Sequence, residues 1–225
     1  SNHTLIKNCT FKNLRYGTSG LNGNDGIYIR STLSTVGTHI KNVTIRECQF
    51  YDISRQGISI IQGEKILIEG CYFSPRRSAV DIEPNNDYEL TTGVIVKNCF
   101  IDGERPTLIH NTDTGVDDTQ AIMSFSLETE GLALDPSNLL IENVMFSDNV
   151  IIGNGEGGGF IQFSRTKNAS CKNNIMKNVH PKADTEAIIL AKARSENIII
   201  TGNIIEGYGD IYALRAYGTK NIIIS

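Results

Sequence analysis

The sequence has no Trp and only five Pro, and its 21 Lys and Arg nearly balance its 25 Asp and Glu, for a formal net charge of −4. No basic run stands out, which argues against nucleic acid or an anionic membrane as a partner. No apolar run approaches the ~18 residues that span a bilayer, and no signal peptide opens the sequence. None of the five Cys forms a CxxC or Cys/His pair with metal-ligand spacing. The glycine-rich stretch from Gly153 to Gly159 lacks the Lys-Ser/Thr and the helix of a phosphate loop, so it reads as a turn between strands. What is plentiful is Asn, Ile and Gly. Asn and Gly tolerate left-handed backbone and suit many tight turns. Ile suits pleated, buried strands. With 225 residues, the chain is long enough to bury a sizeable core.

A repeat accounts for this composition. It reads Ile6-Lys7-Asn8-Cys9-Thr10-Phe11, Ile45-Arg46-Glu47-Cys48-Gln49-Phe50, Ile68-Glu69-Gly70-Cys71-Tyr72-Phe73 and Val96-Lys97-Asn98-Cys99-Phe100-Ile101. Further copies are Ile141-Glu142-Asn143-Val144-Met145-Phe146, Cys171-Lys172-Asn173-Asn174-Ile175-Met176 and Ile200-Thr201-Gly202-Asn203-Ile204-Ile205, and an eighth begins at Ile222-Ile223-Ile224. Stacked at ~4.8 Å, equivalent positions form ladders. The large position predicts Phe11, Phe50, Phe73, Ile101, Phe146, Met176, Ile205. The small position predicts Cys9, Cys48, Cys71, Cys99, Val144, Asn174, Asn203. Four cysteines in one register favour an inward ladder of free thiols over disulfides or a metal site, and Asn174 and Asn203 suit an amide ladder.

A second strand follows in each coil. Gly26-Ile27-Tyr28-Ile29-Arg30, Gly57-Ile58-Ser59-Ile60-Ile61 and Ala79-Val80-Asp81-Ile82-Glu83 align, and Ala121-Ile122-Met123, Gly159-Phe160-Ile161 and Ala187-Ile188-Ile189 align with them less well. Their alternation is that of a strand with one buried face. The sequence thus predicts an all-β fold over residues 1–225: a right-handed parallel β-helix, a solenoid of about eight or more single-stranded coils. Residues 102–137 read as an inserted loop or an extra coil. Neither end carries the cap that a solenoid needs, so a stretch of a larger protein is expected.

The repeat resembles the pectate-lyase-like superfamily of parallel β-helices, across nearly the whole chain. Gln56-Gly57-Ile58-Ser59-Ile60 resembles the G-H-G-I-S-I strip of polygalacturonases, with Gln56 in place of its His. Asn24-Asp25-Gly26 is similar to their N-T-D-G. Asp81-Ile82-Glu83-Pro84-Asn85 resembles a D-I-E-P-N segment of bacterial and phage β-helix proteins, and Thr114 to Ile122 resembles their G-V-x-D-D-T-x-A-I segment. The resemblance implies a polysaccharide partner and a glycosidase or polysaccharide lyase. It also implies an extracellular setting, as a secreted bacterial enzyme or a phage tailspike, and a homotrimer in the latter case. The alternative is a non-catalytic glycan-binding adhesin or a structural virion shaft.

Glycoside hydrolysis usually needs two carboxyl groups. If Val80 and Ile82 point inward, Asp81 and Glu83 share the outer face, ~6.6 Å apart along the strand. Tyr28 and Ser59 then stack beside Asp81, and Arg30 lies beside Glu83. Arg55, Gln56, Arg76 and Arg77 lie in the turns leading in. Asp81 and Glu83, with Asp52 as a third carboxylate, are the candidate catalytic residues. Tyr28, Arg30, Arg55, Gln56, Ser59, Arg76 and Arg77 are the candidate substrate-binding residues. The bland alternative is a solvated face whose acids are balanced by Arg76 and Arg77. No resident cofactor is expected; Asp113, Asp117 and Asp118 are candidate ligands for Ca²⁺ only. His3, His39, His110 and His180 read as structural or solvated.

Overall fold

The computed structural model describes residues 3–14, 24–31, 40–53, 55–74, 78–86, 88–103, 123–126, 141–153, 161–179, 187–192, 194–207 and 212–225. Sheet A stacks β1 (Thr4–Lys7), β4 (Ile40–Arg46), β7 (Gly63–Glu69), β10 (Thr91–Lys97), β13 (Ile141–Ser147), β16 (Thr166–Lys172), β19 (Glu196–Thr201) and β22 (Lys220–Ile224). Sheet B stacks β2 (Thr10–Leu14), β5 (Gln49–Ile53), β8 (Tyr72–Ser74), β11 (Phe100–Asp102), β14 (Val150–Ile152), β17 (Ile175–Val179) and β20 (Ile204–Gly207). Sheet C stacks β3 (Ile27–Ile29), β6 (Gln56–Ile60), β9 (Ser78–Ile82), β12 (Met123–Ser126), β15 (Ile161–Ser164), β18 (Ala187–Lys192) and β21 (Tyr212–Ala216). Every neighbouring pair is parallel, as in β4 with β7 and β6 with β9. The chain runs A, B, C and returns to A one coil further on: a parallel β-helix, as the repeat predicts.

Each coil holds three strands where the sequence suggests two. The repeated hexad is not one strand but a corner joining sheets A and B. Its third residue sits at the bend with positive φ in every copy: Asn8 57°, Glu47 54°, Gly70 63°, Asn98 55°, Asp148 57°, Asn173 54° and Gly202 66°. Asn, Asp and Gly tolerate this left-handed backbone best, which explains their recurrence. A second such column runs through sheet A, at Asn42, Lys65, Gly93, Asn143, Asn168, Asn197 and Asn221. There the asparagine amides bond from coil to coil, Asn168 to Asn143 at 3.3 Å and Asn197 to Asn168 at 2.9 Å.

The fifth copy of the repeat begins at Phe146, not Ile141. Phe146 pairs with Val96 and Cys171, and Ile151 pairs with Ile101 and Met176. The inner ladder is therefore Phe11, Phe50, Phe73, Ile101, Ile151, Met176, Ile205. The small column holds Asn149 in place of Val144. The rings of Phe11, Phe50 and Phe73 stack at 5.0 and 4.8 Å. Phe50 and Phe73 are fully buried, each contributing about 1.5–3 kcal/mol by removal from water. Gly57 makes room for this stack. A Cβ there would meet Phe73 Cδ1 and the Ala79 carbonyl oxygen, both at 2.7 Å.

All the cysteines are free. The Sγ of Cys48, Cys71 and Cys99 each lies between two carbonyl acceptors for its one proton: the nearer two residues back, at Arg46, Glu69 and Lys97, and the farther on the preceding coil, at Ile6, Ile45 and Ile68. Asn149 takes over the same task with its amide, donating to the Val96 carbonyl at 3.2 Å. The amide ladder then runs from Asn149 to Asn174 and from Asn174 to Asn203, both at 2.9 Å. It is one coil longer than the sequence suggests. Cys171 lies one column away, and burial pushes its thiol up to about 12.

In sheet C the three best-matched strands align as expected, with Ile27, Ile58 and Val80 in one row. The other three alignments slip. Ile161 and Ile189 stand in the Val80 row rather than the Asp81 row, and Met123 pairs with Ser78. Of residues 102–137, 123–126 supply the sheet C strand of their coil; 104–122 and 127–137 lie outside the described residues.

Candidate functional site

Sheet C differs from its neighbours in what it buries. Strands of sheet A alternate buried and half-exposed residues, whereas β6, β9 and β15 are buried at every position. Val80 and Ile82 face the core. Asp81 lies between them on the outer face yet is only 6 % exposed. Its register neighbours are Tyr28 and Ser59 on one side. On the other side its register partner is Ser126 of β12, and Gln162 lies one strand further, following Ile161 in the Val80 row. The next coil places Leu190 in this row, so the polar column ends there.

Around Asp81 the side chains form a connected network. Gln56 donates its amide to Asp81 Oδ2 at 2.8 Å, and its backbone N–H donates to Asp25 Oδ1 at 3.2 Å. Arg55 pairs with Glu83 at 3.1 Å and reaches Asp25 at 3.7 Å. Arg30 pairs with the buried Glu89 at 3.1 Å. Burial is the largest single influence on Arg30 and works against its charge, but Glu89 and Tyr28 together outweigh it and hold the guanidinium above the ordinary arginine range. The other oxygen of Glu89 accepts backbone N–H groups from Asn85 and Asn86. One carboxylate thus fastens the segment after Glu83 against the coil carrying Arg30.

The network grades from open to closed. Tyr28 is 50 % exposed, and the side chain of Glu83 is 16 % exposed. Ser59 and Gln56 are buried. Four buried polar atoms on these strands, Gln56 Oε1, Ser59 Oγ, Ser78 Oγ and Gln162 Nε2, have no hydrogen-bond partner among the described residues. Buried polar groups are normally satisfied, and an orphan costs about 1–3 kcal/mol. Such a cluster suits a ligand rich in hydroxyl groups.

The structure therefore brings together Asp81, Glu83, Tyr28, Arg30, Arg55, Gln56 and Ser59. Asp52 stands apart, on β5 of sheet B, with a positive φ of 48°. It shares that bend position with Asn13 in the paired strand, which gives it a backbone reason to be there. Arg76 and Arg77 lie outside the described residues, as do Asp113, Asp117 and Asp118. Among the described residues no three His, Cys, Asp or Glu side chains gather to hold a metal ion. Sequence reasoning missed Glu89 and Gln162. A slip of one position hid Gln162, and Glu89 lies in a connection with no periodic signal.

No curated protein matches the chain. A family model described as a right-handed beta helix region matches residues 35–225. With the parallel stacking of all three sheets, this shows that the chain belongs to the right-handed beta helix family.

Proposed function

We propose that the outer face of sheet C binds and hydrolyses a polysaccharide, with Asp81 and Glu83 as its carboxyl pair. The observation that carries this reading is the row of orphaned polar atoms beside two carboxylates. Gln56, Ser59, Ser78 and Gln162 offer buried donors and acceptors to sugar hydroxyls, and Tyr28 offers an exposed ring at the open end. Glu83, held by Arg55, is the base or nucleophile; Asp81, on the dry floor, is the acid. Elimination on a uronate would need a cation for the substrate carboxylate. The guanidiniums of Arg55 and Arg30 are already engaged by Glu83 and Glu89, so neither is offered to a uronate carboxylate.

The test is to incubate the protein with a panel of bacterial and plant polysaccharides, following reducing ends and absorbance at 235 nm. New reducing ends without absorbance are expected, lost in Asp81→Asn and Glu83→Gln variants with unchanged melting curves. Absorbance at 235 nm would mean a lyase. Binding without product would mean a glycan-binding module, the reading favoured by the existing partners of both carboxylates.

A further inference from the structure

We propose that the outer face of sheet A is a self-complementary surface through which two copies of the chain pack antiparallel. Sheet A turns four columns outward: the bend column of Asn42, Lys65 and Asn143 beside a largely apolar one, and a charged column on either side of these. The apolar column holds Leu67, Ile95, Met145 and Ile199, half-exposed in one register between inward-facing neighbours. One charged column carries Lys41, Glu64, Glu142, Lys167 and Glu196; the other carries Arg46, Glu69, Lys97 and Lys172. Eight strands ~4.8 Å apart and about seven residues long cover roughly 700 Å². Twice that falls within the ~1,200–2,000 Å² buried by stable complexes.

The order of the charges selects one arrangement. Let a two-fold axis run along the strands, between β10 and β13. Each column then meets its own reverse. Lys41 faces the partner copy's Glu196, Glu64 faces its Lys167, and Glu69 faces its Lys172. No like charges meet, and Ile95 packs on Met145 at the centre. Within one copy Lys41 already pairs with Glu64 at 2.7 Å and Lys167 with Glu196 at 3.5 Å. Facing each other, the two pairs make a square of alternating charge. Sheet C takes no part in the antiparallel dimer, so the surface is independent of the site around Asp81.

Sedimentation velocity across micromolar concentrations should show a dimer. Met145→Glu should weaken it by about 30-fold or more, the effect of losing a central anchor, with an unchanged melting curve. Orientation is read by thiol cross-linking in a Cys9→Ser background, which removes the exposed thiol. A Leu67→Cys chain mixed with a Ser170→Cys chain should cross-link to each other, and neither to itself. A monomer throughout, a trimer, a dimer unmoved by Met145→Glu, or self-linking of Leu67→Cys would each overturn the proposal.

Discussion

At Glu47 the backbone demands a conformation its side chain does not favour. It is the residue other than Asn, Asp or Gly in the bend column between sheets A and B, with φ 54°. Its exposed ion pair with Lys7, at 3.4 Å, adds little. Glu47→Asn should therefore raise stability by about 0.5–1 kcal/mol, read as a higher urea midpoint at constant slope. Asn174 is the opposite case. Its Oδ1 accepts from both the backbone N–H and the amide of Asn149, and its own amide donates to Asn203 and to the Phe146 carbonyl. Asn174→Leu would strand these buried partners and should cost about 3–5 kcal/mol, seen as a lower midpoint in the same titration.

At the scale of a single sheet, charge sets how the fold responds to acid. Glu69 in β7 is held below the ordinary carboxylate range by its hydrogen bond from Lys97, with Arg46 adding to this against burial. Glu64 in the same strand is lowered by its hydrogen bond from Lys41. A carboxyl group with a depressed folded value stabilises the fold fully above its unfolded value, ~4.3. That stability is lost as pH falls through the lower folded value. Unfolding midpoints should therefore drop below about pH 4.5, and Glu69→Gln should flatten part of the drop. An equal drop in that variant would place the acid sensitivity elsewhere.

Across the whole molecule, the three sheets divide the work. Sheet A presents charged columns on either side of an apolar one, sheet B an outward row that includes Tyr72 and the stacked Phe100, and sheet C a covered polar row. The polar row on sheet C grades from exposed Tyr28 to buried Asp81. On the proposed function, substrate enters over Tyr28 and reacts at Asp81. Tyr28→Ala should then raise KM with kcat nearly unchanged, whereas Asp81→Asn should lower kcat by a factor of about 100 or more. Steady-state kinetics on the responsive glycan separates the two, and loss of kcat in Tyr28→Ala would move that residue into the chemistry.

The sequence by itself determined the solenoid, because each coil repeats one pattern and a β-helix stacks like on like. Four cysteines, three phenylalanines and the recurring Asn and Gly announced the columns, and the rows holding Tyr28, Ser59 and Asp81 followed from them. Only the tertiary structure decided the rest. The hexad looks like one strand, but a positive φ at its third residue turns it into a corner, a fact of backbone geometry. Val144 and Asn149 are both credible column members in sequence, and pairing with Cys99 and Asn174 selects Asn149. The side-chain partners that Asp81, Glu83 and Glu89 find in Gln56, Arg55 and Arg30 lie a coil or more away along the chain. Stacking brings them within hydrogen-bonding distance, and no local pattern encodes which side chain meets which.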